Sequence, residues 1–95
     1  MRGDVDMDAV CTAAIKHWGV ISQLLMVVEE LSELQQAVCK FYRGKPHNVA
    51  EEIADVKIML RQLEFITSCT DEVKEHIDFK LDRLCKQLGI SGGIK

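Results

Sequence analysis

Six carboxylates stand in two short runs, Glu29-Glu30-Leu31-Ser32-Glu33 and Glu51-Glu52-Ile53-Ala54-Asp55, and neither run has a lysine or arginine three or four residues away on either side. Acids on a helix surface are ordinarily laced to bases at that spacing, since each pair adds about 0.2–0.5 kcal/mol and like charges there cost about as much. The rest of the chain keeps the habit: Glu64 has Arg61 within reach, Asp71 and Asp78 both have Lys74, and Asp82 has Lys86. The two runs instead set like charges three and four apart, so their neutralisation must come from outside the local helix. A bound cation is the economical source. All-oxygen ligands select hard ions, which favours Mg²⁺ or Mn²⁺ over zinc. A magnesium ion held by several acids keeps waters and open positions, and its commonest partner is a polyphosphate, so the chemistry open to such a site is phosphoryl chemistry. A di-iron centre would need histidine as Glu-x-x-His, and none of His17, His47 and His76 has a glutamate three residues before it.

The elements that must position these acids read as helices from end to end, with no alternating strand pattern of useful length. The expectation is an all-α chain of four helices, about 6–17, 21–42, 48–66 and 71–88, with a flexible tail over 89–95. Gly19 stops the first. Arg43-Gly44-Lys45-Pro46 stops the second, glycine supplying the C-terminal turn and proline forbidding continuation. Asn48 is expected as the N-cap of the third, with Glu51 three positions on as a variant capping box. The second helix is apolar almost all round in its middle, which predicts burial and a desolvated setting for its acids. With about 100° per residue, Glu30 and Glu33 fall roughly 60° apart on the helix surface and Glu29 and Glu33 roughly 40° apart. Glu52 and Asp55 repeat the geometry on the next helix. Glu33 lies eleven residues before Gly44 and Glu52 eight residues after it. Helices joined by so short a turn pack antiparallel, so the two runs should face each other, with four or five carboxylates around one centre.

Ninety-five residues read as one domain over 1–95. A chain of that size buries only roughly 60–65% of the surface its unfolded form exposes, so self-association is a natural way to cover leftover apolar helix surface. A net charge of −3 provides no basic footprint for a nucleic-acid backbone. No apolar run approaches the ~20 residues that span a bilayer, and the acidic start does not suit a signal or transit peptide, so no membrane partner and a cytoplasmic setting are expected. Cys11, Cys39, Cys69 and Cys85 form no CxxC pair and are read as buried, reduced thiols. Bases that could contribute to phosphate binding are Lys40, Arg43, Lys45, Lys57, Arg61, Lys80 and Arg83.

At its acidic runs the chain resembles the MazG-like, all-alpha nucleoside triphosphate pyrophosphohydrolases, whose signature is E-E-x-x-E followed by E-x-x-D. Here it reads Glu29-Glu30-Leu31-Ser32-Glu33, then eighteen residues, then Glu52-Ile53-Ala54-Asp55. The likeness extends from Trp18-Gly19 and Gln23 to Lys80-Leu81-Asp82-Arg83-Leu84, and Glu51-Glu52-Ile53-Ala54-Asp55-Val56 looks like the short MazG-like proteins of bacteria and their phages. The resemblance implies a four-helix, oligomeric fold and Mg²⁺-dependent hydrolysis between the alpha and beta phosphates of a nucleoside triphosphate, giving the monophosphate and pyrophosphate. Carried over by motif, it implies Glu30, Glu33, Glu52 and Asp55 as metal ligands, and Glu29, with Glu33, as an acid that orients the attacking water or holds a second metal. It also implies homodimers or homotetramers whose subunits wall the nucleotide pocket, where Trp18 and His17 could stack on or hydrogen-bond to the nucleobase and Gln23 could read its edge, against the plainer readings of a tryptophan packed at a helix end and a solvated glutamine. Two other readings stand beside it: an enzyme like the phosphoribosyl-ATP pyrophosphatase of histidine biosynthesis, and a helical oligomerisation module that binds nucleotide or metal without turnover.

Overall fold

Glycine and proline cut the chain where the sequence expects. In the computed structural model, which describes residues 5–90, α1 spans Met7–Trp18, α2 Val20–Tyr42, α3 Val49–Thr67 and α4 Thr70–Leu88. The described residues are all-α, without strands, and each boundary lies within one residue of its expected place. Of the tail expected over 89–95, residues 91–95 lie outside the described residues. Asp6 caps α1, its carboxylate accepting the Asp8 N–H at 3.0 Å. Gly19 takes φ 95° and ψ 154°, a conformation that L residues rarely adopt, and there the chain bends by 116° between α1 and α2. At the end of α2, Gly44 sits at φ 72°, while the Lys45 N–H reaches the Lys40 carbonyl at 2.9 Å and the Gly44 N–H the Phe41 carbonyl at 3.0 Å. Those two bonds are the Schellman closure that a glycine beyond a helix end permits.

α2 and α3 pack against each other most extensively, α1 lies across both, and α4 touches α3 alone. The buried stripe of α2 is Gln23, Val27 and Ala37, and that of α3 is Glu52, Val56, Met59 and Gln62. Steps of four and ten along α2, and of three and four along α3, keep each set on one helix face. The α1 packing is fastened by Arg61, whose Nε and Nη2 donate to the two Asp8 carboxylate oxygens at 2.7 and 2.8 Å and whose Nη1 donates to Glu64 at 2.8 Å. The expected local pairs Lys74–Asp78 and Lys86–Asp82 form at 3.5 and 3.2 Å.

Two expectations about burial are corrected. α2 is not buried all round: Ile21, Leu25 and Val28 on its outer side are 71%, 66% and 66% exposed, because only the side facing α3 and α1 meets another element. Of the cysteines only Cys11 is buried, Cys39 being exposed and Cys69 and Cys85 half-buried, all of them free thiols. Cys39 lies on the uncovered side of α2, and Cys85 on α4, which has no buried residue at all. Among the described residues no single helix is long and apolar enough to cross a membrane. The chain is open for its size. Its radius of gyration is 16.5 Å, against about 12 Å for a compact domain of this length. Its accessible surface is 7517 Å², against about 5,500 Å².

Candidate metal centre and the neighbouring hollow

The register of the central helix pair is legible from one contact. Gln23 Nε2 donates to Gln62 Oε1 at 2.7 Å, and the two amides are 5% and 4% exposed. In an antiparallel pair, seven residues onward on α2 and seven back on α3 bring Glu30 level with Asp55, and ten bring Glu33 level with Glu52. The acids fall where that register places them. Glu30, Glu33 and Glu52 each offer a carboxylate oxygen, and the three oxygens lie within 4.8 Å of one another.

The burial of these groups separates them from a solvated acidic face. Glu52 is 7% exposed. Glu30 is half-buried and Glu33 exposed. The Oε1 atoms of Glu30 and Glu52 are enclosed and have no hydrogen-bond partner among the described residues. A buried carboxylate oxygen left without a donor carries its full desolvation cost, so two of them in one cluster mark a place built for something that donates positive charge. Burial pushes the Glu30 carboxyl above its ordinary range, and Glu33, Asp55, Glu52 and Glu29 push it further, in that order. Asp55, half-buried, and Glu29, exposed, therefore act on the centre electrostatically while standing outside the closest trio. The donor set is carboxylate throughout, which fits a hard divalent cation.

The start of α3 departs from the expected capping box. Asn48 occupies the N-cap position but makes no side-chain cap. Its Nδ2 instead donates to Glu52 Oε2 at 2.7 Å, and Glu51 is exposed. The acidic centre recruits the amide because a buried carboxylate needs a donor more than a solvated helix end does.

Along the same seam, Met26 lies four residues before Glu30 and Met59 four after Asp55, and beyond them opens a hollow of about 350 Å³ lined by Trp18, Ser22, Gln23, Met26, Met59 and Gln62. Its size and its mainly apolar wall with two amides at the floor suit part of a small planar ligand. Trp18 is exposed at its mouth, edge-on to His17 at 4.8 Å between ring centroids. Gln23 is thus neither solvated nor alone, and its partner Gln62 escaped the sequence reading. The signal for Gln62 was a polar residue on the apolar face that also carries Val56 and Met59.

The basic residues fare differently. Arg61 is held by Asp8 and Glu64 and lies 4.5 Å from the Phe65 ring centroid, so its charge is engaged. Lys57 is exposed on α3, and Lys80 and Arg83 are exposed on α4, Arg83 lying over Phe79. None of these three is brought into the carboxylate trio or the hollow. Comparison of the chain with protein-family models, curated proteins and solved structures finds no match.

Proposed function

We propose that the chain is a MazG-like nucleoside triphosphate pyrophosphohydrolase, a cytoplasmic hydrolase that cleaves the alpha–beta phosphoanhydride with Mg²⁺, Mn²⁺ serving as a substitute. The observation that carries the proposal is the convergence of Glu30, Glu33 and Glu52 with two enclosed, unpartnered oxygens at the meeting point. Glu30, Glu33, Glu52 and Asp55 would hold the ion, which when bound polarises phosphate oxygens and makes a coordinated water acidic. Glu33 and Glu29, both exposed, would accept a proton from an attacking water. The hollow beneath Trp18 takes the base, with the Gln23–Gln62 amides at its floor. It lies one to two helical turns from the carboxylates, the reach of a sugar and its first phosphate. Lys40, Arg43, Lys45, Lys57, Lys80 and Arg83 are the bases left for the outer phosphates, and Arg61 serves the fold. The partner is a small nucleotide, with no nucleic acid and no membrane.

The exposed apolar side of α2 and the stripe Ile77, Leu81, Leu84 and Leu88 on α4 support assembly into a homodimer or homotetramer. There a second copy would complete the bundle that α4, packed on α3 alone, leaves open. Pyrophosphate release from a panel of ribo- and deoxynucleoside triphosphates, with and without Mg²⁺, tests the reaction on the wild type and on Glu33→Gln. Magnesium-dependent release by the wild type, absent in a variant of unchanged helicity, is expected. Undiminished release by the variant removes the mechanism. Silence with every ordinary triphosphate, but release from phosphoribosyl-ATP, transfers the chain to that enzyme class. Saturable binding without release makes it a binding module.

A further inference from the structure

Asn48 stands at the N-cap of α3 and caps nothing. An asparagine there ordinarily accepts a backbone N–H two or three residues on. Here the amide faces the other way and donates from Nδ2 to Glu52 Oε2 at 2.7 Å, a short, charge-assisted bond. The Val49 N–H turns to His47 Nδ1 at 3.3 Å. The bond to Asn48 decides which Glu52 oxygen is spoken for: Oε2 has its donor, and Oε1 is left enclosed and unpartnered, as is Glu30 Oε1.

We propose that Asn48 is a positioning residue for the carboxylate centre, forgoing the helix cap to hold Glu52 with one oxygen free for a cation shared with Glu30 and Glu33. The inference rests on the cation-binding half of the proposed function and extends the site to a residue outside both acidic runs. The residue type fits the task. A neutral amide supplies a donor without adding to the negative charge of the cluster, and it fixes the rotamer of a side chain that would otherwise repel its neighbours. Hydrogen bonds of this kind to ligating groups commonly govern metal affinity about as much as tenfold or more.

Serine caps a helix about as well as asparagine but is too short to reach Glu52, whereas glutamine keeps the amide donor and caps poorly. The full-length wild type, Asn48→Ser and Asn48→Gln are therefore compared by Mn²⁺ titration followed by electron paramagnetic resonance, and by metal-free melting. The Ser variant, in which Glu52 loses its donor, is expected to melt no higher than the wild type and to bind Mn²⁺ about tenfold more weakly. The Gln variant, which keeps the donor and has no cap to lose, is expected to melt near the wild type and to bind Mn²⁺ more tightly than the Ser variant. Wild-type Mn²⁺ affinity in the Ser variant would overturn the proposal and return Asn48 to a helix cap. A wild type that binds no Mn²⁺ would instead overturn the cation centre itself, and the role of Asn48 with it.

Discussion

Glu30 is the residue on which the centre's electrostatics converge. Its carboxyl is pushed above the ordinary glutamate value of 4.5 by burial first and by four neighbouring acids after it. A group whose folded value lies above its unfolded one binds more protons in the native state, so its contribution to stability is full below the unfolded value and is lost as pH rises through the folded one. Without a cation, the wild type should therefore lose stability relative to Glu30→Gln as pH rises upward from 4.5. Melting curves of the two proteins across that range check the slope, and saturating Mg²⁺ should reverse the difference at neutral pH. A constant offset at all pH values would contradict the account. At this scale the sequence was informative because the acids lacked bases at helical spacing, a deficit visible without coordinates. What Asn48 does was not visible, since a cap position and a donor to Glu52 use the same residue in the same turn. Arg61 was read as a phosphate ligand candidate, but its pairing with Asp8 crosses 53 residues and leaves no trace in local spacing.

Between elements, the Gln23–Gln62 bond ties α2 to α3 and sits in the register that sets the acids level with one another. Removing one amide leaves the other buried without its partner, which costs about 1–3 kcal/mol, whereas replacing both by apolar groups is close to neutral. Gln62→Leu is accordingly expected to destabilise the fold by about 1–3 kcal/mol in chemical denaturation. Adding Gln23→Leu should recover most of that loss, a coupling that a double-mutant cycle measures. Additive losses would mean that the two amides do not depend on each other. Helix limits were legible in the sequence because Gly19, Gly44 and Pro46 act locally, through backbone conformations and a missing N–H. The facing of the two acidic runs was legible too, since a short turn dictates antiparallel packing. The glutamine pair was not, because its partners are 39 residues apart, and the place of Gln62 on the face of Val56 and Met59 signals burial without naming a partner.

The molecule as a whole exposes more than a chain of its size ordinarily does. Its accessible surface of 7517 Å² exceeds the expectation for a compact monomer by about 2,000 Å², while a stable interface removes about 800 Å² from each partner. The uncovered apolar residues lie in helical stripes, Ile21, Leu25 and Val28 on α2 and Ile77, Leu81, Leu84 and Leu88 on α4. Sedimentation should therefore find a dimer or tetramer, and Leu25→Glu together with Leu84→Glu should shift it toward monomer and lower its melting temperature. A wild type that sediments as a monomer at micromolar concentration would contradict this reading. The apolar girth of α2 is evident in the sequence and predicts burial, without saying what covers it. Three helices cannot surround a fourth when α4 packs on α3 alone.

Calorimetric titration of Mn²⁺ into the wild type and Glu52→Gln tests most directly whether Glu30, Glu33 and Glu52 form one cation centre. The account predicts saturable, stoichiometric binding by the wild type and its loss in a variant that keeps its helical content. Equal binding by both proteins, or none by the wild type, would contradict it.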